Sequence, residues 1–142
     1  MGLFSFGKKV KLYAPVDGTL EDLSATDSAK GFSVQPQRHH LYSPVDGTVS
    51  ALMPDQRAIE LTSNKLKVRV QLDSQDGQTS TYVHEGDAVT PETPIMFMDH
   101  DDLDAAKVRV VVDNADTHMK SLSVSTSGQV SHDQEVATAV QR

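Results

Sequence analysis

A seven-residue repeat restricts the fold of this chain more than any other feature. Residues 13–19 read YAPVDGT, residues 42–48 read YSPVDGT, and a leucine precedes each copy. Self-similarity of this kind is typical of one supersecondary unit used twice. In each copy the proline is predicted to open a turn, and the Asp-Gly pair to supply a positive-φ corner from which a strand leaves. We therefore expect a β fold with internal pseudosymmetry.

Alternation of apolar and polar residues predicts several further strands. The clearest runs from Leu66 to Leu72, and residues 31–36, 107–113 and 136–140 follow similar patterns. About ten to twelve short strands are predicted, with almost no helix. The pattern favours an all-β fold, an antiparallel β-sandwich or barrel. We expect one domain at residues 10–142, preceded by a flexible tail at residues 1–9.

The composition excludes several classes of protein. The 142 residues carry a formal net charge of −7, which opposes binding to nucleic acid phosphates. Cysteine is absent, so disulfides and thiol chemistry are excluded, and a cytoplasmic location is expected. No apolar run approaches the roughly 20 residues that a membrane helix needs. Apolar residues and lysines in residues 1–9 are expected to make at most weak contact with an anionic membrane surface.

Several segments resemble the glucose-type enzyme IIA domain of the bacterial sugar phosphotransferase system, over nearly the whole chain. They are PVDG at 15–18, SPVDGTV at 43–49, EGDAV at 85–89 followed by PI at 94–95, VVDN at 111–114, and the stretch from GQV at 128–130 to residue 139. The resemblance implies an antiparallel β-sandwich with a duplicated hybrid motif, a monomer and no cofactor. The partners that it implies are the histidine phosphocarrier protein, sugar transporter domains or regulated enzymes.

The resemblance also locates the site at which this family carries its phosphoryl group, on one histidine beside a second. The first histidine position, in a pattern like Asn-His-Ala-Phe, aligns with Arg57, and the second, in a pattern like Val-His-Phe, aligns with Arg69. A phosphoryl acceptor needs a lone pair near neutral pH, whereas a guanidinium stays protonated and only donates hydrogen bonds. We therefore predict no catalytic residue at these positions.

Arg57 and Arg69 are expected to lie on adjacent strands in a shallow pocket. Like charges repel unless an anion lies between them, and Asp55 and Asp73 are the candidate anions. Two interpretations remain open. In one, arginines and aspartates form a network that closes the pocket. In the other, the four residues form an anion- or partner-binding site, because guanidinium forks bind phosphate and carboxylate. No metal site is predicted.

Three functional hypotheses follow. The favoured one is a binding or regulatory homologue that docks constitutively because it is not phosphorylated. The second is an active phosphocarrier that uses another histidine, such as His84 with His39, and the third is a relic with no partner. Lipoyl and biotinyl domains share the hybrid motif, but the nearest match to their Met-Lys-Met site is Met119-Lys120-Ser121. LytM-type zinc endopeptidases need a His-x-His pair, which the sequence lacks.

Overall fold

The chain folds into short β-strands with very little helix. A computed structural model describes residues 8–23, 30–74, 78–99 and 103–142. Within these residues lie fourteen strands, one short helix, α1 (Ala115–His118), and 3-10 turns at Pro54–Gln56 and Leu103–Ala105. The strands in chain order are β1 (Lys9–Tyr13), β2 (Gly18–Asp22), β3 (Gly31–Pro36), β4 (His40–Tyr42), β5 (Gly47–Met53), β6 (Ala58–Ser63), β7 (Leu66–Asp73), β8 (Gln78–Thr81), β9 (Ala88–Val89), β10 (Pro94–Asp99), β11 (Lys107–Val112), β12 (Met119–Val124), β13 (Gly128–Val130) and β14 (Glu135–Gln141).

The predicted tail overlaps only slightly with the part of the chain that the structure describes. Residues 1–7 lie outside it, while Lys9 already belongs to β1, where it pairs with Val140. The predicted all-β class is confirmed. More strands are found than were predicted, because elements such as β9 have two residues and show no alternation.

The strands form three antiparallel sheets that pack as a sandwich. The largest has eight strands in the order β13-β2-β3-β11-β7-β6-β5-β9, and the others have the orders β1-β14-β12 and β4-β10-β8. One apolar cluster fills the space between them, and its largest fully buried side chain is that of Phe32. The opposite face of the eight-stranded sheet carries the polar residues of each strand, so that face is where a site can form.

The duplication extends far beyond the heptapeptide. Half of the eight-stranded sheet, β9-β5-β6-β7, corresponds strand for strand to the other half, β13-β2-β3-β11. The three-stranded sheets correspond in the same way, β4-β10-β8 to β1-β14-β12. Strands β4 to β10 therefore form a complete second unit, inserted into the first unit between β3 and β11. A pseudo-twofold axis runs between β7 and β11.

Reciprocal hydrogen bonds join the two heptapeptides. The Tyr13 N–H donates to the Pro44 carbonyl at 2.8 Å, and the Tyr42 N–H donates to the Pro15 carbonyl at 2.7 Å. Donors and acceptors occupy equivalent positions in the two copies, as a pseudo-twofold axis requires. The internal pseudosymmetry predicted from the repeat is confirmed.

The glycines of the repeat do not have the role predicted for them. The described glycines with positive φ are Gly86, in the turn before β9, and Gly128, at the start of β13, at 93° and 83°. Gly18 and Gly47 are not among them, so the predicted positive-φ corner is wrong. A Cβ at Gly18 would instead overlap the carbonyl oxygen of Gln35, and one at Gly47 would overlap that of Thr62. These glycines allow a neighbouring strand to approach closely.

The aspartate of the first repeat fixes a distant turn. Asp17 Oδ1 accepts a hydrogen bond from the His132 N–H at 2.8 Å and lies 3.2 Å from His132 Nδ1. The His132 N–H, more than any other group, holds the pKa of Asp17 below its ordinary value of 3.8, with the imidazole and Arg38 adding to the effect and burial opposing it. The ionised carboxylate therefore ties the first turn to the turn between β13 and β14.

Acid should remove this contribution of Asp17 to stability. Because its pKa is lower in the folded than in the unfolded chain, the ionised carboxylate stabilises the fold above about pH 4, and the effect is lost as pH falls through the folded pKa. We expect Asp17→Asn to unfold at lower urea than the wild type at pH 7, and this difference to shrink below about pH 4. Asp46→Asn, at the equivalent repeat position, is the control. A difference that stays constant down to pH 3 would contradict this account.

Candidate functional site

Arg69 lies on the outer face of β7 and is paired with an aspartate. Val68 and Val70 on either side of it are fully buried, so the alternation of the strand places Arg69 on the opposite face. Its Nη2 donates to Asp113 Oδ1 at 2.7 Å in an ion pair whose two side chains are 31% and 26% exposed. Asp113 directly follows β11 and is held by its own N–H, which donates to the Lys67 carbonyl at 2.8 Å. Sequence reasoning did not assign Asp113 to this site.

Arg57 occupies an unusual backbone position at the entrance to β6. It follows the 3-10 turn Pro54–Gln56 with a φ of 53°, a left-handed conformation that is uncommon for a long side chain. Its carbonyl accepts the Leu72 N–H at 3.0 Å, and its Nη1 donates to the Ser74 carbonyl at 2.6 Å. The left-handed residue turns the chain from the 3-10 turn into the strand.

Arg69 lies on β7, whereas Arg57 lies in the turn just before the neighbouring strand β6 rather than on a strand, and the two guanidiniums contact different groups. Ser74 lies just beyond the end of β7, whereas Asp113 lies beside Lys67 near its beginning. Because the two contacts lie toward opposite ends of β7, they keep the two positive charges apart, and no anion is needed between the guanidiniums. The structure therefore does not bring the two guanidiniums together over one ligand.

The two candidate aspartates are both exposed. Asp55 lies in the 3-10 turn before Arg57, and Asp73 ends β7 opposite Lys107. In the described part of the chain, the carboxylate that pairs with Arg69 is that of Asp113 rather than Asp55 or Asp73. Both interpretations left open rely on Asp55 and Asp73, so the Arg69–Asp113 pair belongs to neither as stated, and the choice between them stays a prediction.

A third arginine on this face was missed by the sequence analysis. Arg109 on β11 pairs in register with Ser33 of β3 and Gln71 of β7, while Arg69 pairs with Glu60 of β6 and Val111 of β11. Because β7 and β11 are equivalent strands, Arg109 is the pseudo-twofold counterpart of Arg69. The polar positions of β11 alternate with buried Val108 and Val110. This alternation places Arg109 on the outer face. Its equivalence to Arg69 can be recognised only from the nested duplication.

The histidines that the structure describes lie off the strands of this face. Those in the described ranges are His39, His40, His84, His118 and His132, and each lies outside β3, β6, β7 and β11. His100 falls outside those ranges. A search of the described residues finds no group of three or more histidine, cysteine or acidic residues that could hold a metal ion. The same residues contain no helix that is long and apolar enough to cross a membrane.

An antiparallel sandwich of two nested units is the fold that the resemblance to enzyme IIA domains implies. The family model described as phosphoenolpyruvate-dependent sugar phosphotransferase system, EIIA 1, matches residues 10–118. The chain belongs to this family.

A solved structure supports the fold. The glucose permease IIA from Mycoplasma capricolum superposes with a TM-score of 0.71 at 17% identity, over 92% of this chain and 96% of that one. At this identity the likeness shows the fold alone. No curated protein sequence matches the chain.

Proposed function

We propose that this chain is a binding or regulatory enzyme IIA homologue that does not accept a phosphoryl group. The observation that carries the proposal is that arginine holds both positions aligned with the family histidines. Arg57 lies in the turn before β6 and Arg69 on β7, and those two strands pair regularly. A guanidinium has no lone pair to attack phosphorus near neutral pH. The loss of two imidazoles therefore removes the acceptor, while the strands that carried them are retained.

The contacts of the two arginines support a stable, altered face rather than a damaged one. Arg69 is satisfied by Asp113 at 2.7 Å and Arg57 by the Ser74 carbonyl at 2.6 Å. Charge-assisted hydrogen bonds of this length are among the stronger ones in proteins. A guanidinium has five N–H donors, and the ion pair with Asp113 uses one of those on Arg69. The remaining donors are suited to an anionic group on a docked partner.

The partners that fit are those of the family. We propose that the outer face of β6, β7 and β11 docks a histidine phosphocarrier protein, a sugar transporter domain or a regulated enzyme, in the cytoplasm and as a monomer. Phosphorylation adds about two negative charges and would repel or reorient such a partner. A chain that is never phosphorylated at this face would dock constitutively. Asp55 and Asp73, both exposed beside the arginines, would contribute to the choice of partner.

Phosphoryl transfer in vitro tests this proposal. The wild-type chain is incubated with radiolabelled phosphoenolpyruvate, enzyme I and the histidine phosphocarrier, beside a family member that retains both histidines. We expect no acid-labile label on the wild type and full labelling of the control protein, because no lone pair replaces the family imidazoles. Label on the wild type would overturn the proposal. It would instead support the alternative of an active phosphocarrier that uses another histidine.

A further inference from the structure

A small cleft lies between the first repeat turn, the turn before β4 and the turn that joins β13 to β14. Its volume is about 180 Å³, and it is lined by Val16, Asp17, Arg38, His40, Tyr42 and His132. It shares no residue with the outer sheet face that carries Arg57 and Arg69. Five of its six lining residues have side chains that hydrogen-bond, carry charge or stack, an unusual concentration for a surface turn.

The His132 ring is fixed on two sides. Its Nδ1 lies 3.2 Å from Asp17 Oδ1, and its face stacks on the Tyr42 ring, with 4.2 Å between centroids and 14° between planes. The lowered pKa of Asp17 keeps this carboxylate ionised, and an ionised carboxylate only accepts. Nδ1 is therefore the donor, and Nε2 holds the lone pair of the neutral ring. Uptake of a proton turns Nε2 into a second donor.

A second imidazole and a guanidinium complete the cleft. His40 Nδ1 is 3.3 Å from the Tyr82 hydroxyl, and its ring stacks on Tyr82 at 5.8 Å and 7°. Arg38 donates from Nη1 to the Gln37 carbonyl and holds Nε 3.9 Å from Asp17 Oδ2. The Arg38 side chain is 72% exposed, so its fork is accessible to an incoming group. Both imidazole orientations are set before any ligand arrives, which reduces the entropic cost of binding.

The duplication shows that the fold itself does not need these residues. The repeat offset of 29 residues places Lys9 and Lys11, on β1 of the first unit, at the positions equivalent to Arg38 and His40. Matching hydrogen bonds in the turns β9–β10 and β13–β14 place Pro91 at the position equivalent to His132. The Thr90 N–H donates to Thr93 Oγ1, and the Ser131 N–H donates to Gln134 Oε1, each to a side chain three residues later. The same architecture therefore forms without either imidazole. The need to form these turns therefore does not explain why His40 and His132 are present.

We infer that this cleft binds a small oxyanion, the phosphate or carboxylate group of a ligand, together with a proton on His132. The titratable and charged groups that face His132 are Asp17, Arg38, His40 and Tyr42, and Asp133 follows it in the same turn. At neutral pH the charges of Asp17 and Arg38 cancel. Protonation of His132 adds a positive charge and an N–H donor to the cleft, and oxyanions bind most favourably to donors that carry charge. Binding should therefore strengthen as pH falls.

Imidazole NMR measures this directly. Chain labelled with ¹⁵N-histidine is titrated at pH 5.5 and 7.5 with sulfate, which stays a dianion throughout this range, and then with phosphate and acetate to identify the preferred oxyanion. We expect saturable shifts of the His132 and His40 ring signals, with sulfate bound about tenfold more tightly at pH 5.5 than at 7.5 because one imidazole proton is taken up. His132→Gln, which keeps the main-chain N–H to Asp17, should abolish the pH dependence.

Two further variants test whether sulfate binds in the cleft or elsewhere on the surface. Arg38→Gln should weaken sulfate binding several-fold, whereas Lys9→Gln, at the equivalent position of the other unit, should leave it unchanged. Amide spectra confirm that each variant is folded. Absent or non-saturable shifts at pH 5.5, or shifts equal in wild type and His132→Gln, would overturn the inference. Loss of binding in an Arg57→Gln, Arg69→Gln double variant would assign the anion to the outer sheet face and equally overturn it. None of these results bears on phosphoryl transfer.

Discussion

Gly47→Ala is expected to destabilise the fold by about 3 kcal/mol, near the upper end for overpacking of a closed structure. The new Cβ would overlap the Thr62 carbonyl oxygen, which is backbone in the adjacent strand β6 and cannot rotate away. The clash is relieved only if β5 and β6 move apart, and the ladder between those strands ends at the pair of Met53 and Ala58, next to Arg57. Gly18→Ala should cost a similar amount, because the equivalent Cβ meets the Gln35 carbonyl. Urea unfolding of purified variants measures both effects.

Gly86→Ala distinguishes close approach from backbone strain. A Cβ at Gly86 meets nothing within 4 Å, but its φ of 93° disfavours any side chain. We expect a loss of about 1 kcal/mol there, from conformation alone. If Gly47→Ala cost no more than Gly86→Ala, the strands would be more compliant than the ladder suggests, and the explanation offered for the repeat glycines would fail.

The architecture was predictable from sequence to the extent that local pattern determines it. The repeated YxPVDGT segment and the alternation from Leu66 to Leu72 are patterns within short stretches of sequence. They therefore predicted the fold class and the longest strand. The nesting of one unit inside the other was not predictable in this way. It depends on which strands pair across the sheet, and pairing between β3 and β11 joins residues that are far apart in sequence.

The candidate site was predicted in its positions but not in its contacts. Aligned motifs identified Arg57 and Arg69, yet Asp113 reaches Arg69 from a strand 44 residues away, which no spacing in the sequence indicates. The left-handed φ of Arg57 was equally hidden, because arginine gives no signal for that conformation. Arg109 was hidden for a third reason. Its equivalence to Arg69 follows from the pseudo-twofold axis, and that axis is a property of the sheet order.

The pseudo-twofold axis also explains why the outer face and the cleft have diverged separately. Arg69 and Arg109 keep the same residue type at equivalent positions on β7 and β11. His132 and Pro91, by contrast, differ completely at equivalent turns. Arg69 and Arg109 lie on the two strands beside the axis, whereas His132 and Pro91 lie in turns outside the eight-stranded sheet. Each turn is therefore free to acquire its own chemistry.

Restoring the family histidines should restore phosphoryl transfer. We expect the Arg57→His, Arg69→His double variant to gain acid-labile label from radiolabelled phosphoenolpyruvate, enzyme I and the histidine phosphocarrier, whereas the wild type gains none. Histidine tolerates left-handed backbone better than most residues, so the φ of 53° at position 57 suits the substitution. At position 69 the buried neighbours Val68 and Val70 keep the new ring on the outer face. An imidazole there supplies the lone pair that a guanidinium lacks.

The two single variants, and the outcome in which the double variant gains no label, test this prediction further. Arg57→His and Arg69→His alone should each accept less label than the double variant, because the family uses one histidine as acceptor and the other to stabilise charge. Amide spectra establish that every variant is folded before it is assayed. Label on the double variant alone would mean that the face still docks the phosphocarrier and that only the acceptor was lost. A folded double variant without label would contradict constitutive docking of the phosphocarrier, since an accessible acceptor on an intact docking face has every requirement for transfer.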